Sequence, residues 1–179
     1  MRQIVTTGTG DVDVLKIEER PDPAPGADEV LIRVRAAGLN FADILSRQGL
    51  YPDSPPKPCV MGYEVSGVVE SVGNDVNSSF IGKSAVALTR FNGQSELLVV
   101  KAAQMFEKPE TLTFEQGAAI PVNYLTAYAL LVVLGSLHAG ESVLIHNAGG
   151  GVGLAALDIA KKIGAETYGT ASPTPPPAL

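Results

Sequence analysis

The sequence predicts a two-part α/β protein, an antiparallel β-barrel or sandwich followed by the opening strand–helix–strand unit of a parallel α/β domain. Three observations carry this expectation. Up to about residue 110, short β-prone runs alternate with Gly, Pro and Asn at close intervals. From Thr113 the pattern turns helical. Further on, a glycine-rich turn stands between an apolar β-prone run and an apolar helical run.

In the first part, runs 31–35, 65–69, 85–88 and 96–100 read as strands, and the amino terminus itself begins with strand-like residues. Pro21, Pro23, Pro25 and Gly26 mark one loop, and Pro52, Pro55, Pro56 and Pro58 mark another, because proline supplies no backbone donor to a ladder. Thr113 followed by Gln116 has capping-box spacing and opens a helix through Gly117, Ala118 and Ala119. A second helical run, 122–134, stops at Gly135. The expectation continues with a buried strand at 142–146, a helix from about 152 to 163 and a further strand at 166–170. Tyr124 and Tyr128 recur at helical spacing and are assigned to the core. The domains expected are therefore 1–117 and 118–172, followed by a proline-rich tail at 173–179 that cannot extend a helix or a central strand.

Composition excludes several functions. The chain has 179 residues, 45% of them hydrophobic, which is ample for a core. Its formal charge of -6 leaves no basic footprint for nucleic acid or anionic lipid. Cys59 is the single cysteine, so a disulfide framework and a cysteine-rich zinc site are both excluded. The amino terminus lacks the apolar core of a secretory signal, and the reading is cytoplasmic. The longest apolar stretch, 125–134, is about half of the roughly 20 residues that cross a bilayer, which favours a buried helix over a membrane span.

The chemistry-bearing motif is the turn at 148–153. In register it reads A-x-G-x-x-G, with Gly150 positioned for close approach to a pyrophosphate and Gly153 for close packing of helix on strand. The N–H groups of Gly151 and Val152 at the helix start would face the anion. Standing alone, such a run also fits a plain flexible turn; the flanking strand and helix favour a nucleotide. At the end of the second strand, where an NAD site carries an acidic ribose ligand, this chain has Thr170, Ala171 and Ser172. A missing carboxylate favours NADPH, with Ser172 as a donor to its extra phosphate.

The motifs around Gly38 to Asp43, Arg47 to Tyr51, Gly62 to Gly67, Ala119 to Tyr128, the glycine turn and Tyr168 to Ser172 resemble the quinone oxidoreductase branch of the medium-chain dehydrogenase/reductase superfamily. The likeness is nearest to the subgroup of the synaptic vesicle amine transport protein homologue. It implies a GroES-like β-barrel followed by a Rossmann domain, here incomplete, with NADPH as cofactor and a homodimer as the assembly. In the zinc enzymes of the superfamily a cysteine and a histidine ligand fall where this chain has Asn40 and Tyr63, so zinc is rejected. What remains is hydride delivery to an acceptor that is already electrophilic, a quinone or an α,β-unsaturated carbonyl.

Carried over by position, the resemblance places Asn40 beside the nicotinamide and the substrate oxygen and Tyr51 within reach of that oxygen. Asn123 and Thr126 would border the nicotinamide. Leu45 stands where relatives often carry a second tyrosine. Without the resemblance, Asn40 and Asp43 also read as turn residues satisfying nearby backbone groups, and Tyr51 as a ring packed over a proline loop. A second functional reading is a non-catalytic fragment that keeps the barrel and a partial nucleotide site and acts through association with another chain.

Overall fold

The structure, a computed structural model, describes residues 1–172; the expected proline-rich tail lies outside them. The described residues divide into two compact units, with the boundary between Pro121 and Val122. The sequence places that boundary at residue 117.

The first unit is built from eight strands: β1 (Arg2–Thr6), β2 (Leu15–Glu19), β3 (Glu29–Ala37), β4 (Cys59–Val60), β5 (Glu64–Val72), β6 (Ser84–Leu88), β7 (Leu97–Lys101) and β8 (Met105–Glu107). They form a five-stranded antiparallel sheet in the order β7-β3-β5-β6-β8 and a three-stranded sheet in the order β2-β1-β4. A bridge between Gln3 and Ser95 joins β1 to the segment leading into β7. Register shifts at Leu31/Ile32 and Val34/Ala36 interrupt the β3–β5 ladder, and such bulges bend and twist a strand pair.

Side chains of successive residues point to opposite faces of a strand, and the middle strands β3 and β5 bury runs of consecutive residues, Val30–Ile32 and Glu64–Gly67. Val30 faces Val100, Ile32 faces Leu98 on one side and Val69 on the other, and Val65 faces Ala87, all of them buried. Helix α1 (Phe41–Arg47) follows β3, and the short α2 (Phe114–Ala118) packs on β3, β5 and β6. The capping box expected at Thr113 is present: its hydroxyl accepts from Gln116 N at 3.2 Å, and the Gln116 side chain accepts from Thr113 N at 2.9 Å. A side chain at Gly117 would press on Ser66 and Val86, which explains a glycine inside so short a helix.

In the second unit, α3 (Pro121–Tyr128) continues as a wider π-helical stretch over Ala129–Leu134. Strand β9 (Ser142–Ile145) pairs in parallel with β10 (Glu166–Gly169), and α4 (Gly151–Ile163) connects them. Gly164 ends α4 in the left-handed conformation at φ 89°. The core is small: Ala127, Ile145, Ala148, Ala155 and Ala156.

Three expectations of burial are corrected here. The apolar run 125–134 is helical but largely exposed, with Leu134 at 75%. Only Ile145 of β9 is buried, so this is not the buried strand expected. Tyr124 and Tyr128 are exposed rather than core residues. The cause is common to all three, because a sheet of two four-residue strands covered by one crossing helix offers too little surface to bury every apolar side chain around it. Taken as one helical run, Phe114–Leu134 is 21 residues and apolar enough to cross a membrane by length and composition, with 28% of its apolar window buried.

Candidate functional site

In the first unit the polar residues of interest converge where β3 turns into α1 and meets the start of β5. Asn40 precedes α1 in extended conformation, and Asp43 occupies the third helical position. The Asp43 carboxylate accepts from Asn40 N at 2.8 Å and, through its other oxygen, from Gly62 N at 3.0 Å. Asp43 is thus a two-sided strap between α1 and the turn before β5. Burial pushes its carboxyl pKa up, and the two backbone donors oppose the rise.

The Asn40 side-chain amide donates to Glu64 Oε1 at 2.9 Å. Glu64 is 1% exposed, and the backbone N–H of Gly38 bonds to its carbonyl oxygen at 3.0 Å. A Cβ on Gly38 would overlap the Glu64 carboxyl group, so glycine is required there for the carboxylate to lie where it receives Asn40. The Asn40 amide is thus held by a buried acidic partner, and that hold fixes its orientation.

Tyr63 lies between Gly62 and Glu64. Its ring packs against Phe91 with centroids 5.7 Å apart. Burial, then the neighbouring Tyr51, Asp43 and Asp53, push its phenol pKa up to about 12 against the pull of Arg90. Tyr51 is half-buried in the loop that follows α1. Cys59 is no activated nucleophile: burial raises its thiol pKa, and its sulfur lies 3.9 Å from Met61 Sδ. Among the described residues no three His, Cys, Asp or Glu side chains converge as metal ligands.

The second unit places the glycine turn at the carboxyl end of β9, beside the end of β10, since Ile145 pairs with Gly169. The turn is tied down by Ala148 N bonding to Thr170 O and Thr170 N to Ile145 O, at 2.9 and 3.0 Å. His146 Nδ1 and Thr170 Oγ1 add a side-chain bond at 3.0 Å, a link between residues 24 positions apart that no local motif announces. The first intrahelical bond of α4 runs from Leu154 N to Gly150 O, so the N–H groups of Gly151, Val152 and Gly153 precede the ladder and form the helix's donor end.

The glycines divide by what surrounds them. A Cβ on Gly153 would run into the Asn147 carbonyl and the Ala148 backbone, which is the close helix–strand packing expected of it. A Cβ on Gly150 would meet Asn147 Nδ2 at 2.7 Å, and one on Gly151 would meet Asn123 Oδ1 at 2.5 Å. Of the four glycines in the turn, Gly149 alone opens onto space with nothing within 4 Å. The open side belongs to a glycine that the motif register passes over. Asn123 lies against the helix start, and Thr126, one helical turn along α3, is exposed. Ser172 follows β10 and is exposed.

Residues 26–110 match the alcohol dehydrogenase GroES-like domain family. The chain is 47% identical over 175 residues to the synaptic vesicle membrane protein VAT-1 homolog of Rattus norvegicus, covering 96% of this chain and 43% of that protein. In structure it superposes on human synaptic vesicle membrane protein VAT-1 homolog-like protein with a TM-score of 0.91 at 37% identity, covering 97% of this chain and 56% of the other. Against Escherichia coli quinone oxidoreductase complexed with NADPH the TM-score is 0.87 at 33% identity, over 96% of this chain and 52% of the other. The chain spans less than half the length of the rat relative.

Proposed function

We propose that the chain belongs to the quinone oxidoreductase branch of the medium-chain dehydrogenase/reductase superfamily and that it serves NADPH-dependent, zinc-independent hydride transfer to a quinone or an α,β-unsaturated carbonyl. The observation that carries the reading is the turn at the end of β9, where an open glycine flank adjoins the donor end of a 13-residue helix. A pyrophosphate fits such a place, because backbone N–H groups and the positive end of the helix dipole act on it together.

When bound, NADPH supplies a hydride and the two electrons it carries. The protein's part is to hold and to orient. Gly151, Val152 and Gly153 offer backbone donors to the pyrophosphate, and Gly150 keeps the approach narrow. Ser172 offers a hydroxyl to the ribose phosphate, at a strand end where Thr170 and Ala171 bring no carboxylate to repel it. Asn123 and Thr126 lie on one face of α3 for the nicotinamide. In the first unit Asn40, fixed by Glu64, and Tyr51 are hydrogen-bonding groups for the substrate oxygen. Asn40 and Tyr63 offer no metal-binding pair comparable to cysteine and histidine, so polarisation of the acceptor falls to hydrogen-bond donors.

The test follows the absorbance of NADPH in the presence of the chain and cyclohex-2-enone or a simple quinone. Protein-dependent oxidation, faster with NADPH than with NADH, is the expected result. No oxidation and no quenching of NADPH fluorescence on binding would overturn the assignment.

A second reading, action through association with another chain, is favoured by the exposed Leu125, Leu130, Val133, Leu134 and Leu144 of the second unit. Sedimentation separates the two, because a stable monomer that binds NADPH contradicts the association reading.

A further inference from the structure

Among the described residues, two buried side-chain oxygens have no hydrogen-bonding partner in the protein, Thr6 Oγ1 and the Tyr63 hydroxyl. Buried polar groups nearly always find a partner, a tyrosine hydroxyl included, so an unsatisfied one calls for a functional or solvent partner. Thr6 ends β1, where it is paired to Leu15 and Cys59. Tyr63 stands among the site residues. Gly62 before it is held by Asp43, and Glu64 after it holds the Asn40 amide. Tyr51 lies close enough to act on the Tyr63 phenol.

We propose that the Tyr63 hydroxyl is a substrate-contacting group of this site, donating a hydrogen bond to the oxygen of a small ketone- or quinone-type ligand. The inference rests on the functional reading above and deepens it, since no sequence motif assigns Tyr63 a role. Three features of its surroundings suit the task. The Phe91 ring at 5.7 Å fixes the orientation of the phenol. Its pKa of about 12 keeps the proton on the oxygen at neutral pH, so the group is a donor and not a phenolate. Arg90 and Asp53, on the two segments that flank the ring, form a 2.7 Å ion pair between exposed side chains. Exposed pairs hold weakly, so ligand entry need not break a strong contact.

An unpartnered buried hydroxyl also gives the test a distinguishing sign. Removing it relieves the free protein of a desolvated polar atom, yet deprives a bound ligand of its donor. A structural tyrosine would show the reverse. The experiment labels the tyrosine ring carbons of the full chain with carbon-13, assigns Tyr63 by the resonance lost in Tyr63→Phe, and titrates cyclohex-2-enone in the presence of NADPH. The expected result is a shift of the Tyr63 resonance with added enone, enone binding about tenfold weaker in Tyr63→Phe, and a melting temperature of the variant that is not lowered.

If the enone binds the original and Tyr63→Phe proteins equally and the Tyr63 resonance stays still, this proposal is overturned while the functional reading stands. If the original protein binds no enone at all, the functional reading fails and this proposal fails with it. Should Tyr63→Phe not fold, Tyr63 is assigned through a neighbouring Phe91→Leu variant, and the movement or stillness of its resonance in the unsubstituted protein decides the matter.

Discussion

At the scale of single residues, Asp43 is the most consequential group that does not itself reach a ligand. Its two oxygens serve two different N–H donors, those of Asn40 and Gly62. Asparagine has one acceptor oxygen, so Asp43→Asn leaves one buried N–H facing an NH2 group. Neutralising the carboxylate relieves its desolvation, but an unpaired buried donor costs about 1–3 kcal/mol, and the existing pair of charge-assisted bonds already offsets much of that desolvation. Urea unfolding at pH 7 should show Asp43→Asn destabilised by about 1–2 kcal/mol; an unchanged or higher midpoint would contradict the strap. The pH dependence has a definite sign. Because burial raises the folded pKa above the ordinary 3.8, the folded chain binds a proton where the unfolded chain has lost it. The Asp43 contribution to stability therefore falls as pH rises through the window from 3.8 to the raised value, and is level above it.

Residue spacing made part of this site legible. Asn40 and Asp43 stand three apart at a helix start, and the glycine turn declares its strand and helix. The Asn40–Glu64 bond and the buried Tyr63 hydroxyl were not legible, since they depend on chain segments 24 or more positions apart, or on a ring brought in by another loop.

At the scale of elements, local chemistry was readable and burial was not. The capping box at Thr113 is written in four consecutive residues, and both of its hydrogen bonds are present. Thr113→Ala should lower stability by about 1 kcal/mol, in the usual range for loss of an N-cap. Thermal unfolding would measure it, and restoration by Thr113→Ser would separate lost capping from lost packing of the threonine methyl. The runs at 31–35 and 65–69 also announced their strands, since β-prone residues stand there between Gly-, Pro- and Asn-marked breaks. By contrast β4 and β8 have two and three residues and carry no period of their own. They exist because β1 and β6 offer edges to pair with. The run at 125–134 reads as a buried helix because it is about half the length that crosses a bilayer. Burial needs a covering surface, and local sequence does not state how much surface the rest of the unit will provide.

At the scale of the molecule, the two units differ in what their cores can supply. The first unit buries Val30, Ile32, Val65, Val69, Leu98, Val100 and Met105 across a five-stranded sheet. Four of the five core residues of the second unit are alanines, and its sheet has two strands. Burial of an apolar side chain contributes roughly 25 cal/mol per Å² removed from water, so alanines add little. A pair of short strands is also marginal without a larger apolar face to rest on. Local opening free energies follow buried apolar contact, which ranks the units. Amides of β9 and β10 should therefore exchange with deuterium sooner than those of β3 and β5, read by mass spectrometry at neutral pH. Adding NADPH should slow exchange in β9 and at the start of α4, because a ligand that binds the folded unit stabilises it by mass action. The inverse ranking would mean that the small alanine core is not what limits the second unit. Equal protection with and without NADPH would count against the glycine turn as a nucleotide site. Protection confined to the turn and its two strands, with β3 and β5 unaffected, is the pattern expected if the open glycine flank and the donor end of α4 hold the anion.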